Sequence, residues 1–404
     1  MAPGLIDPPQ ATTASGFAKA SVGPKEAFIG GPQVFNKIAE EQGTEKQPPA
    51  THSKYLPLWD PDTKYPPLEL FTHYEHGKEA DPSFPELLRG ATSVSELTPS
   101  TGSEVHGIQL SALTKEGKDQ LALFVAQRKV VAFRDQNLAD LPIQEALDFG
   151  SYFGRLHIHP TSGAPKGYPE VHLVHRGADD NTAMDLLKSR TNTVTWHSDV
   201  TYENQPPGTS FLYVLDTPAA GGDTLFANQV EAYNRLSPEF QKRLHGLRAL
   251  HSGHEQAQNS KSRGSIVRRE PVTSIHPLVR THPATGEKAI YVNPQFTRHI
   301  IGYKQEESDY LLKFLYDHVA LGQDFQTRVK WAPRTVVVWD IQISLGPGGI
   351  EQLSTSVQLP PPDILMRITE LRVHLQFDDY EISKRVAMMY AGLGQTNSSD
   401  DSKI

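Results

Sequence analysis

His197 and Asp199, in the stretch Thr195-Trp196-His197-Ser198-Asp199-Val200, are the residues whose types and spacing most directly suggest chemistry. Trp196, Val200 and the threonines on either side suit an extended strand, where residues two apart share a face. An imidazole and a carboxylate would then stand side by side. One neutral nitrogen ligand, one anionic oxygen ligand and a second imidazole from elsewhere form the facial ligand set of non-haem iron(II), which leaves three coordination positions free. The triplet alone is weak: with 17 His and 47 acidic residues in 404, about two His-x-Asp/Glu triplets are expected by chance, and the chain has two. The other, His73-Tyr74-Glu75, lies in a proline-rich setting with no regular strand to hold a metal. A half-buried histidine bonded to a nearby carboxylate is the competing reading of His197.

The elements that must position such a pair are short strands. Thr209–Leu215, Asp223–Ala227, Leu247–His251, Ile275–Arg280, Lys288–Val292 and Thr335–Asp340 are each apolar and bounded by Gly, Pro or polar turns. Pro283-Ala284-Thr285-Gly286 joins two of them as a hairpin, with Gly available for positive φ. Helices are expected near Gln229–Leu244 and Gln305–Val319. Earlier, Thr114 caps a helix whose Leu121, Phe124 and Val125 share a face, Val130–Phe133 reads as a buried strand, and a second helix follows Pro142. This order predicts a mainly β fold with flanking helices, a double-stranded β-helix or jelly roll, over residues 93–394. Residues 1–54 are poor in periodicity and read as a disordered arm. Residues 55–92 carry enough aromatic weight to pack along the body, and 395–404 read as a disordered tail.

The net charge of −8 gives no basic footprint for nucleic acid or an anionic membrane. No apolar run approaches the ~20 residues of a membrane span, and residues 1–30 lack the order of a signal peptide. A soluble cytoplasmic protein with a small-molecule substrate is expected, and a homo-oligomer is compatible with the sequence. Cysteine is absent, so any metal is held by nitrogen and oxygen.

Five motifs follow one another in order: Lys129-Val-Val-Ala-Phe-Arg134-Asp135-Gln136, Phe153-Gly154-Arg155-Leu156-His157-Ile158-His159-Pro160, Trp196-His197-Ser198-Asp199, Gly221-Gly222-Asp223-Thr224-Leu225-Phe226, and His276-Pro277-Leu278-Val279-Arg280-Thr281-His282-Pro283. Together they closely resemble the taurine dioxygenase (TauD/TfdA-like) family of Fe(II)- and 2-oxoglutarate-dependent oxygenases. The Tyr55-Leu-Pro-Leu-Trp-Asp-Pro region is similar to the arm of its fungal sulfonate dioxygenase branch. The resemblance implies that His197 and Asp199 are iron ligands and that Thr224 hydrogen-bonds a carboxylate of 2-oxoglutarate. It also implies that His159 contacts substrate and that Val200 and Phe296 occupy apolar pocket positions. Gly221 and Gly222 are turn glycines, and His157, His276 and His282 have no ligand role.

The pattern breaks after Val338-Trp339-Asp340, where no histidine occurs before His374. From Arg372-Val373-His374 the family spacing resumes, which implies His374 as third ligand and Arg385 as the guanidinium that grips the distal carboxylate of 2-oxoglutarate. Residues 341–371 have the composition of a loop, either a true insertion or translated non-coding sequence. Met389 stands where the taurine enzymes carry a sulfonate-contacting arginine.

The leading expectation is therefore an Fe(II)-dependent dioxygenase using 2-oxoglutarate and O2 on a small sulfonate, with release of sulfite and an aldehyde. The alternatives are a non-catalytic relative in which the 341–371 segment disrupts the iron site, and an iron-free binding module of the same shape.

Overall fold

The computed structural model describes residues 52–175, 196–216, 222–262 and 264–341, together with the backbone of three further strands, Phe28–Ile29, Ser344–Pro347 and Arg367–His374. Arg385, Met389, the tail and most of the first 54 residues lie outside the described residues.

Two short strands, β1 (Phe28–Ile29) and β2 (Leu58–Trp59), pair with each other. Residues 52–92 then run along the body. The Tyr55 ring is buried and its hydroxyl meets that of Tyr213 at 3.0 Å. Leu58 bridges Ala164, Tyr65 N donates to Arg268 O, and Phe71 is held from both sides of its peptide by the Gln205 amide.

Strands β3 (Ser93–Glu96) and β4 (Ser103–His106) lead into helix α1 (Lys115–Arg128). Thr114 caps it by accepting from Gly117 N at 3.1 Å, satisfying one of the free N–H groups of the first turn. Lys129, at φ +70°, turns the chain directly into β5 (Val130–Phe133), in which every residue is buried. Helix α2 (Ile143–Ser151) begins after Pro142, and β6 (Arg155–Leu156) and β7 (Val171–His175) follow.

The second half supplies most of the roll. After β8 (Trp196–His197) come β9 (Pro207–Asp216) and β10 (Thr224–Asn228). The helix expected near Gln229–Leu244 is two helices, α3 (Gln229–Asn234) and α4 (Pro238–Leu244). Proline cannot continue a helix and Ser237 caps the second one instead. Strand β11 (Arg248–Ser252), helix α5 (His254–Ser262), β12 (Thr273–Pro277) and β13 (Val279–Thr281) follow. β13 turns through Gly286, at φ +72°, into β14 (Lys288–Ile290). Then come β15 (Thr297–Ile300), helix α6 (Gln305–Leu321), β16 (Gln326–Val329), β17 (Val336–Asp340), β18 (Ser344–Pro347) and β19 (Arg367–His374).

The large sheet runs β3-β4-β5-β17-β9-β19-β6, and β7 also pairs with β19. Alternation along its central strands splits the core in two. Val131, Phe133, Phe211, Val336 and Val338 face α1 and α2, where Phe124, Phe149 and Phe153 pack on them. Val130, Ala132, Leu212, Val214, Val337 and Trp339 face the other way and meet Phe226, Val329 and Trp331 of the opposing sheet, ordered β16-β10-β18-β8. The two sheets sandwich an apolar layer, as a jelly roll requires.

Residues 341–371, read as loop from composition, supply β18 and most of β19. The reason is edge availability. The ten-residue β9 would otherwise leave one side unpaired, and Arg367–His374 fills it in antiparallel register.

Phe211 lies between Phe149 and Phe153, at ring distances of 5.4 and 5.3 Å. Phe211→Ala should destabilise the fold by about 3–5 kcal/mol, measured by urea unfolding. A loss under 1 kcal/mol would mean the sheet and helices do not meet there. His282 Nε2 lies 2.7 Å from Asp340 Oδ2, tying the β13–β14 turn to β17. Burial would lower the pKa of this imidazole, but the Asp340 carboxylate, aided by Glu75, outweighs it and the pKa is raised. The imidazolium contribution to stability should therefore be complete below the unfolded value near 6.5 and disappear as pH rises through the raised folded value. Urea midpoints of His282→Gln should lack that alkaline decline; parallel curves for variant and wild type would refute the assignment.

Candidate active site

The strand that carries His197 is shorter than its sequence suggests. β8 ends at His197, and residues 199–202 form a turn rather than continuing extended. Two hydrogen bonds and one backbone angle define the bend. Ser198 Oγ donates to Ile341 O at 2.6 Å, Glu203 N donates to Val200 O at 2.9 Å, and Val200 adopts φ +44°. That value is rare for a β-branched residue and carries strain. The turn, not strand alternation, brings the carboxylate to the imidazole: His197 Nε2 lies 3.0 Å from Asp199 Oδ1. Both side chains retain slight exposure, 12% and 14%.

A separation of 3.0 Å suits a hydrogen bond. It also equals the spacing of two adjacent ligands bound at about 2.1 Å to one octahedral ion, so this nitrogen and oxygen fit a metal. Among the described residues no third His, Asp or Glu completes a metal-binding group. The His374 backbone ends β19 with its Cα opposite Pro207 of β9 and Arg155 of β6; its side chain lies outside the described residues.

Beneath the turn is a buried polar layer with no counterpart in the sequence reading. Arg269 and Glu203 form a double ion pair, Nη2 with Oε1 and Nη1 with Oε2, the latter at 3.1 Å, and His157 Nε2 lies 3.1 Å from Oε1. His276 Nε2 meets Glu203 O at 2.9 Å, and Ser274 Oγ donates to Tyr202 O at 2.8 Å. Thr201 Oγ1 is shared by His251 Nδ1 and Asn293 Nδ2. Burial, reinforced by Arg280, lowers the pKa of His276 to about 3, and burial with the neighbouring His276 holds His251 well below its ordinary value. Both are therefore neutral at pH 7.

The remaining predicted residues are dispersed around this centre. Thr224, at the start of β10, accepts from Trp331 Nε1 at 2.9 Å. His159 is buried: its Nδ1 accepts from Thr161 N at 3.2 Å, its ring lies 4.3 Å from that of His172, and its carbonyl accepts from Arg268. Val200 and Phe296 meet in one buried cluster with Tyr202. His73 and Glu75 come within 3.7 Å of each other in a stretch that forms no strand. Sequence reasoning missed Glu203 and Arg269, and placed Arg155 in the Phe153–Pro160 motif without giving it a role. Only Glu203 carried a signal, four residues after Asp199, whereas Arg268-Arg269 lies in an aperiodic stretch.

The profile described as Taurine catabolism dioxygenase TauD, TfdA family matches residues 93–341. An alpha-ketoglutarate-dependent sulfonate dioxygenase of Saccharomyces cerevisiae is 46% identical over 290 residues, spanning 71% of this chain and 70% of that protein. An alpha-ketoglutarate-dependent dioxygenase of Penicillium expansum is 42% identical over 316 residues, spanning 78% and 84%. The crystal structure of a taurine dioxygenase from Burkholderia xenovorans superposes with a TM-score of 0.56 at 27% identity, covering 71% of this chain and 90% of that one. A jelly roll with an imidazole and a carboxylate paired at the end of a short strand, matched over more than half its length, belongs to the TauD/TfdA family of alpha-ketoglutarate-dependent dioxygenases.

Proposed function

We propose that the chain is an Fe(II)-dependent enzyme that hydroxylates a small organic sulfonate, releasing sulfite and an aldehyde. The observation that carries this reading is the 3.0 Å approach of His197 Nε2 and Asp199 Oδ1 at an incompletely buried position. His197 and Asp199 would hold the ion with His374 as third ligand, and Thr224 and Arg385 would hold 2-oxoglutarate. His159 would contact the substrate, with Val200 and Phe296 backing the pocket. Ferrous ion with 2-oxoglutarate and O2 supplies the oxidising power, so no side chain need act as general acid or base. The protein's part is to aim two ligands, exclude water through its apolar layer and orient the substrate. The sulfonate assignment is supported by the yeast relative, which is named a sulfonate dioxygenase.

A second reading is favoured by one observation. β18, from the 341–371 segment, pairs directly with His197 through Gly346, so that segment abuts the site. In this reading the segment disrupts the iron site and the chain keeps the fold with impaired or no turnover.

Purified protein supplied with iron(II), ascorbate, 2-oxoglutarate and an alkanesulfonate should form succinate and sulfite in equal amounts. Metal-dependent 2-oxoglutarate binding without succinate, or no metal-dependent binding at all, would refute the first reading and favour the second. His197→Ala and Asp199→Ala should each abolish metal binding in equilibrium dialysis. Glu203→Gln and Arg269→Met should weaken it by about 10–100-fold, because they release the turn that aims Asp199. Unchanged metal affinity in folded Arg269→Met would show that the ion pair is only scaffolding.

A further inference from the structure

Arg155 is a second polar feature at the same centre, and nothing described so far uses it. It lies on β6, at the edge of the large sheet, with its backbone in register with His374. Its neighbour Leu156 packs into the helix-side core, so alternation places Arg155 on the opposite face of that strand. Three features hold the guanidinium there. Nη1 donates to Glu69 O, the group's carbon sits 4.6 Å above the Phe71 ring, and Phe71 is fixed through its backbone by Gln205, six residues after Asp199.

The remaining edge is idle. Nε and Nη2 are both buried and have no hydrogen-bond partner among the described residues. These two N–H groups point the same way from a planar guanidinium and form the fork that grips two oxygens of one oxyanion. Buried donors left unmade are costly, so a whole idle edge calls for an explanation. Neighbouring arginines offer no such edge: Arg269 is committed to Glu203, and Arg268 Nη2 donates to His159 O and Ser162 Oγ. Glu203, the nearby carboxylate, is already taken by Arg269. Burial disfavours the charge on Arg155 and Glu203 partly restores it, but a guanidinium remains charged at neutral pH.

We infer that Arg155 is the anchor for an oxyanion head group on the primary substrate, received bidentately at Nε and Nη2 under the cover of Glu69 and Phe71. This assignment rests on the oxygenase reading and makes substrate choice depend on the arm. The same fork could grip a carboxylate of 2-oxoglutarate. The primary substrate is favoured because Arg155 occupies the edge of the large sheet, whereas Thr224 lies in the opposing one.

The test compares the full chain with Arg155→Met and Arg155→Lys. Calorimetry on protein loaded with Mn(II) and 2-oxoglutarate measures binding of three probes: a short alkanesulfonate, the matching alkyl sulfate and the matching carboxylate. Michaelis constants for 2-oxoglutarate and for the probe that binds are measured with iron(II). At least one probe should bind the wild type, and Arg155→Met should weaken it by at least about 10-fold. Arg155→Lys should fall between, since it keeps the charge and loses the fork, while the Michaelis constant for 2-oxoglutarate should move by less than about twofold. Equal probe affinity in wild type and variants, no binding of any probe, or an equal shift for 2-oxoglutarate would each overturn the assignment. If Arg155→Met does not fold, the lysine variant alone decides. A wild type that cannot bind 2-oxoglutarate with metal defeats the functional reading, whereas an active wild type indifferent to Arg155 defeats only this one.

Discussion

The buried ion pair between Arg269 and Glu203 is the restraint on which the rest of the site depends. Removing both charges from water costs several kcal/mol per ion, and only close, doubly bonded geometry offsets it. Both side chains are almost wholly buried, and the pair is bidentate. Glu203 belongs to the turn that begins at Asp199: its backbone N–H bonds Val200 O and its carbonyl meets His276. Fixing Glu203 therefore fixes the far end of a turn whose other end carries the carboxylate next to His197.

That turn would not hold its shape unaided. A left-handed Val200 costs on the order of 1–3 kcal/mol, and persists only where the surroundings over-determine it. Here they do. Thr201 is bonded from two sides by His251 and Asn293, Tyr202 packs edge-on against Phe296 at 5.0 Å, and Ser198 is tied to Ile341. Because His251 and His276 stay neutral, this layer adds hydrogen bonds without introducing further buried positive charge beside Asp199. Ile341 also links the end of β17 to the start of β9 through its N–H to Gly208 O. The rigid centre of the large sheet is thus joined to the turn by two consecutive hydrogen bonds.

The scaffold was legible in the sequence to a greater extent than the site. Short apolar runs between turn residues marked β9, β10, β11, β14 and β17, and Thr114 marked the start of α1, because these depend on local periodicity and capping. Pro238 carried the helix break in plain view. The bend after His197 was illegible because Trp, Val and Thr favour strands, and only tertiary contacts 50 to 143 residues away override that preference. Spacing singled out His197 and Asp199, and the two side chains do meet, yet what joins them is a turn. The roles of Arg155 and Arg269 were illegible for the same reason: their significance lies in partners from the arm and from the turn, and no local pattern records those.

The 341–371 segment shows where composition misleads most. A segment looping outside a fold costs mainly closure entropy, which grows slowly with length. This one instead pairs with both sheets: β18 lies between β8 and β10, and residues 367–371 of β19 lie between β9 and β7. It borders His197 through Gly346. Strand edges accept any chain of suitable register, since the ladder is made by backbone groups and side chains only tune it. A stretch with proline and little alternation can therefore be drawn into a sheet wherever an edge as long as that of β9 stands open. β18, drawn in between β8 and β10 of the other sheet, is the part of the segment that walls the site.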